Sequence, residues 1–238
     1  MSAAVNNRFQ SEGFILHTYP YKETSLIVEA FTLKSGRISM VAKGAKRPHS
    51  KLRSALNLFQ IFEIEWAGRN ELKNLYRVDW LGGIPPLVGM PLVCGFYLNE
   101  LIMYLLAKDD PHERLFKIYA NTIRNLGEGL DISPILRKFE VNLLKELGYE
   151  IKLDKDGRNN YDIIEKDMYT YLPEIGPVKL AKNSENQLKF HGKTLRDIQN
   201  ENFCNRRTLV ETKNLTRYLL DYYLGEKKIN TRSLLKVL

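Results

Sequence analysis

Residues 36–66 read GRISMVAKGAKRPHSKLRSALNLFQIFEIEW. An apolar strand from Arg37 to Ala42 leads into a connection that carries Lys43, Lys46, Arg47, Lys51 and Arg53 and no acid. A helical turn follows at Ser50 to Leu56, and a second strand runs from Asn57 to Trp66. That strand alternates, with Phe59, Ile61, Glu63 and Glu65 on one face and Gln60, Phe62, Ile64 and Trp66 on the other. Working outward, two runs rich in β-branched and aromatic residues precede it, Gly13 to Tyr19 and Ser25 to Thr32, and one follows, Glu71 to Trp80. Turn residues separate the runs at Lys34-Ser35-Gly36 and Gly68-Arg69-Asn70. Five short strands with a helical connection between the third and fourth predict an OB-fold, a five-stranded, partly open Greek-key β-barrel.

Beyond the barrel the hydrophobic period changes from two toward 3.6. A Pro/Gly-rich connector over residues 81–91 separates a barrel domain, 1–80, from a mainly α-helical domain, 92–238, so the fold class is α+β. Leu92 to Lys108 reads as a helix apolar on all sides. Asp110-Pro111 predicts the start of a helix to Leu126, and Ser133-Pro134 that of another, closed by Gly148. These three are expected to form one hydrophobic centre. Residues 150–190 read as loops with a hairpin; short helices follow at Thr194 to Asn200 and Thr231 to Leu238, with a long one between them, Arg206 to Leu224, closed by Gly225.

Of the 238 residues, 36 are Lys or Arg and 28 are Asp or Glu, a net charge of +8. The excess sits at the two ends: residues 1–80 hold 12 basic side chains against 7 acidic, and residues 151–238 hold 17 against 12, whereas the middle is slightly acidic. Such a balance attracts polyanions, nucleic acid first. No Gly-x-Gly-x-x-Gly or Gly-x-x-x-x-Gly-Lys motif is present, so nucleotide hydrolysis is not expected. His17, His49, His112 and His191 have no partner at metal-ligand spacing, and Cys94 and Cys204 cannot build a four-thiolate site, so neither a metal nor another cofactor is expected, and no enzymatic activity. Asp154-Lys155-Asp156-Gly157 places its glycine too early for a calcium loop. Met1 to Phe9 lacks the apolar run of a secretory signal, and the uncharged stretch Trp80 to Asn99 is broken by three prolines, which points to a cytoplasmic protein that does not cross a membrane.

A groove for single strands needs cations at phosphate spacing and aromatic faces for bases. Arg37, Lys43, Lys46, Arg47, Lys51, Arg53, Arg69 and Lys73 are the candidate cations of the first domain. Tyr19, Tyr21, Phe31, Phe59, Phe62 and Trp66 are candidate platforms, most of them expected to fill the barrel instead. On the long helix, Arg206, Arg207, Lys213 and Arg217 either touch phosphate or solvate a face. Charge and fold alone leave open an RNA-binding factor of translation or RNA processing.

An ordered set of motifs spans nearly the whole chain: Gly13-Phe14-Ile15-Leu16-His17, Tyr21-Lys22-Glu23-Thr24-Ser25-Leu26, Gly36-Arg37, Ala42-Lys43-Gly44-Ala45-Lys46-Arg47, Tyr97-Leu98-Asn99-Glu100-Leu101, Leu136-Arg137-Lys138-Phe139-Glu140, Leu147-Gly148-Tyr149 and Thr231-Arg232-Ser233-Leu234. It resembles the RecO family of bacterial DNA repair proteins. The resemblance implies a non-catalytic recombination mediator of the RecFOR pathway that binds single- and double-stranded DNA and anneals complementary strands. It also implies two protein partners, RecR and the acidic, Phe-ending C-terminal tail of single-stranded DNA-binding protein (SSB), and a role in loading RecA, in association with the bacterial nucleoid. Carried onto matching positions, Lys43 to Arg53 is the DNA-binding candidate, and Arg137 is the candidate for the tail's terminal carboxylate, through its planar donor fork. Some family members carry a four-cysteine zinc module after the Leu-Gly-Tyr motif. Residues 150–190 hold no cysteine, so the chain resembles the zinc-free branch.

Overall fold

The computed structural model describes residues 8–68, 70–149, 151–180 and 188–235. Five strands, β1 (Arg8–Tyr21), β2 (Ser25–Thr32), β3 (Gly36–Ala42), β4 (Ile61–Ala67) and β5 (Leu72–Trp80), close a barrel in the order β1-β2-β3-β5-β4, and α1 (Lys51–Ala55) connects β3 to β4. All pairings are antiparallel except β3 with β5. β1 outruns its expected length because it serves two neighbours, β4 through Arg8 to Phe14 and β2 from Gly13 onward. The barrel interior holds Ile15, Val28, Ile38, Met40, Phe62, Ile64, Trp66 and Val78. Large side chains must fill so small a barrel.

The outer face of β1 and β2 is apolar as well. Phe14 and Phe31, direct cross-strand partners, meet Phe116 and Tyr119 at ring-centroid distances of 5.0–6.0 Å. Those two rings belong to α3 (Glu113–Gly127), which follows α2 (Met90–Leu105). A β-bulge takes Leu16 out of the ladder; its carbonyl accepts a hydrogen bond from Asn99 of α2 (2.9 Å), whose Oδ1 accepts one from the Tyr119 hydroxyl (2.5 Å). Burial drives the Tyr119 pKa far upward, which keeps that hydroxyl a donor.

α3 begins later than Asp110-Pro111 implies. The Asp109 N–H donates to the Arg37 carbonyl (2.9 Å), and Arg37 forms a parallel bridge with Lys108, so this segment is pinned to the barrel edge and is not free to coil. Gly36, at φ +64°, is required beside it, because a Cβ there would lie 1.8 Å from the Asp110 carbonyl oxygen.

Two compact units result. The first takes the described residues up to Gly129 together with those from Ile229 onward, and the second runs from Leu130 to Lys228. The three central helices therefore do not make one centre: α2 and α3 cover the barrel, whereas α4 (Ile132–Glu146) packs on α6 (Arg206–Leu224). The second unit also contains the hairpin β6 (Met168–Leu172) and β7 (Gly176–Lys179), the short β8 (Phe190–His191) and α5 (Gly192–Gln199). At the end of the chain a 3-10 turn, Asn230–Ser233, replaces the start of the expected α-helix. Its cap is the Glu100 carboxylate of α2, which accepts from the backbone and side chains of Asn230 and Thr231 (2.7–3.1 Å). The rest of that expected helix, from residue 236, lies outside the described residues.

Candidate nucleic-acid interface

The basic connection is built as a plug with a charged rim. Leu52, Ala55 and Leu56 of α1 and its end, at helical spacing, pack against the barrel core, and Ala45 is fully buried in it. Anchoring those residues turns Lys43, Lys46, Arg47, Lys51 and Arg53 to the exterior, where all five are exposed. The Lys46 N–H donates to the Thr24 carbonyl (2.8 Å), and the Lys46 ammonium reaches the Lys22 carbonyl (3.5 Å). The β1–β2 turn therefore lies beside the basic connection and adds an exposed lysine, Lys22, absent from the candidates read in sequence. Its only signal was the turn itself, Tyr21-Lys22-Glu23-Thr24, because the neighbour relation is made by folding.

Arg37 and Lys73 are placed differently. The Arg37 guanidinium donates to Glu29 (3.1 Å) and to the Leu106 carbonyl (3.2 Å), and Glu29 also accepts from Ser39 (2.6 Å). Lys73 is buried with its ammonium 2.5 Å from the Asp109 carboxylate. Both charges tie the α2–α3 connection to the barrel, which leaves them poorly placed for phosphate. Arg69 lies outside the described residues. Among the aromatic candidates Phe31, Phe59, Phe62 and Trp66 are buried, and Tyr19 and Tyr21 reach the surface.

In the second unit Asn205 caps α6 by accepting from the Arg207 N–H (2.8 Å), and Arg206 and Arg207 are exposed in the first turn. Positive charge at that end opposes the helix dipole, so an anion bound there would relieve both. Arg206, Lys213 and Arg217 stand at i, i+7 and i+11, one stripe of the helix.

Arg137 lies within α4, buried, donating to Glu140 one turn on (2.8 Å). Glu140 is itself buried and accepts from Thr216 of α6 (2.5 Å), while the Arg137 Nε has no hydrogen-bond partner. Lys213 and Arg217, both half-buried, complete the cluster. Burial, and then the positive charges of Arg217 and Arg137, hold the Lys213 pKa below its ordinary value, partly offset by Glu140. Three cations gathered near one carboxylate leave an excess of positive charge between α4 and α6. The sequence gives Arg137 through a motif and Lys213 and Arg217 only as helix cations; the packing of α4 on α6 joins them.

Two family models cover the chain: Recombination protein O N terminal matches residues 6–84, and Recombination protein O C terminal matches residues 91–233. The chain is 48% identical over 225 residues to the DNA repair protein RecO of Nitrosospira multiformis, covering 94% of this chain and 93% of that one. It is 45% identical over 229 residues to RecO of Aromatoleum aromaticum, with 96% and 95% covered. With RecO of Dechloromonas aromatica it shares 44% over 230 residues, covering 95% and 94%.

Proposed function

We propose that this chain, which belongs to the RecO family of DNA repair proteins, acts as a recombination mediator without covalent turnover. It binds single- and double-stranded DNA, anneals complementary strands and, with RecR, helps load RecA onto SSB-coated DNA in the cytoplasm, in association with the nucleoid. The observation that carries this reading is the basic connection: five outward cations held on an OB-type barrel by an apolar plug. Such cations neutralise phosphates and release counterions, which lowers the repulsion between two strands about to pair. Recruitment to coated DNA falls to the cluster of Arg137, Lys213 and Arg217, whose excess positive charge suits the terminal carboxylate of the SSB tail.

The test is fluorescence-monitored annealing of complementary oligonucleotides precoated with cognate SSB, with tailless SSB as the control. Tail-dependent acceleration is expected. No acceleration on coated or naked strands would remove the mediator reading, and preferential binding of RNA in competition at fixed salt would replace it with a role on RNA.

A further inference from the structure

Trp80 closes β5 with 66% of its surface exposed, and Leu81, which follows it, is exposed too. The ring is nevertheless fixed. Its Nε1–H donates to the Gln60 Oε1 (3.1 Å), and the Gln60 Nε2 donates to the Ile84 carbonyl (3.0 Å), so one amide locks both the indole and the connector after β5. Gly82 lies beside the six-membered ring, with its Cβ position 3.7 Å away. An indole immobilised while exposed has given up rotamer freedom without gaining burial.

The ring borders a cleft of about 520 Å³ whose walls include Phe62, Ile84, Pro86, Ala55 and Asn57. Ala55 is the last residue of α1, so the exposed Lys51 and Arg53 stand within about one helical turn of the cleft. Residues 43–62 contain no acid. The acids nearest in the ladder, Glu63 and Asp79, pair with each other across β4 and β5, and strand alternation turns them to the opposite face from Phe62 and Trp80.

A flat aromatic face held rigid, a cleft beside it and cations one turn away together match one nucleotide of a single strand. We infer that Trp80 and this cleft form a nucleobase-binding site, in which an unpaired base stacks on the indole while the flanking phosphates lie on Lys51 and Arg53. The site rests on the DNA-binding reading and deepens it: stacking accepts any base, so the strand is gripped without sequence preference. A duplex keeps its bases stacked inside and cannot use the site.

The probes are a labelled oligodeoxythymidylate, an abasic strand of equal length and a duplex, each measured by anisotropy at fixed salt with the full chain. Trp80→Ala is expected to weaken thymidylate binding about tenfold and to leave the abasic strand and the duplex unchanged, with Trp80→Phe intermediate. The chain has two tryptophans, and Trp66 is buried. Thymidylate should therefore quench wild-type emission, and the quench should vanish in Trp80→Phe. Equal losses on thymidylate and abasic strands, or wild-type thymidylate binding with neither quench nor loss in Trp80→Ala, would overturn the base site and leave the basic connection standing. Stronger quenching by an acidic, Phe-ending peptide than by thymidylate would overturn it in favour of a peptide site. Failure of the wild type to bind any of the three probes would remove the DNA-binding reading along with it.

Discussion

At the scale of single residues, two carboxylates set up the second unit. Asp156 is buried; its Oδ1 accepts from the Arg158 and Asn159 amides (2.9 and 3.3 Å) and its Oδ2 from the Lys179 amide (2.7 Å), which ties the loop after Leu153 to β7. Burial raises its pKa, but the three N–H donors outweigh burial and hold it below the ordinary value. A carboxyl group depressed on folding stabilises above its unfolded pKa of about 3.9 and loses that contribution as pH falls through the folded value. Asp156→Ala should therefore lower stability by about 2 kcal/mol at pH 7, with the gap to wild type shrinking below about pH 4 in denaturant titrations; a gap independent of pH would contradict the hydrogen-bond account. The second carboxylate, Glu140, makes Arg137 a poor first target, since Arg137→Ala strands a buried charge at a cost of about 3–5 kcal/mol. Lys213→Ala and Arg217→Ala sample the same excess charge from half-buried positions. Each is expected to weaken SSB-tail peptide binding roughly tenfold in anisotropy, with little effect on thermal stability or duplex binding. Equal losses on peptide and duplex would count against a dedicated tail pocket between α4 and α6.

At the scale of elements, α1 separates structure from charge: Leu52 and Ala55 face the core while Lys51 and Arg53 face out. Replacing Lys46, Arg47, Lys51 and Arg53 together with glutamine should leave the melting temperature near wild type. It should reduce the dependence of single-strand affinity on log salt by up to roughly 3. An unchanged salt slope would move the phosphates to another surface. The strands and the basic rim of this element were legible because period two, turn residues and an acid-free run are local signals. Trp80 was not, since a terminal aromatic on a strand reads as core and its exposure depends on where the connector after β5 runs. Arg37 and Lys73 read as rim cations for the converse reason: their partners Glu29 and Asp109 lie 8 and 36 positions away, the first brought close by the pairing of β2 with β3 and the second by the return of the chain to the barrel after α2. The start of α3 was misplaced by the same kind of long-range pairing, which outweighed a favourable Asp-Pro signal at the edge of β3.

At the scale of the whole molecule, two divisions of the chain coexist. The hydrophobic period and the family models both break near residues 81–91, whereas the compact unit that holds the barrel continues to Gly129 and regains the chain at Ile229. The difference lies in the outer face of β1 and β2, where Phe14, Leu16 and Phe31 are buried by α2 and α3 rather than by water-facing polar residues. A barrel cut at residue 80 would expose that face and would leave the Leu16 carbonyl without Asn99. A fragment of residues 1–80 is therefore expected to bind a hydrophobic dye and melt without a cooperative transition, as packing-deficient states do. A fragment of residues 1–129, which restores Phe116, Tyr119 and Asn99, should melt cooperatively, below the full chain because Glu100 has lost its contacts to Asn230 and Thr231. Calorimetry on the two fragments decides the matter. Cooperative melting of residues 1–80 would make the barrel a domain in its own right and reduce α2 and α3 to a cover. Its absence would mean that the barrel which carries the basic connection depends on helices far beyond the connector.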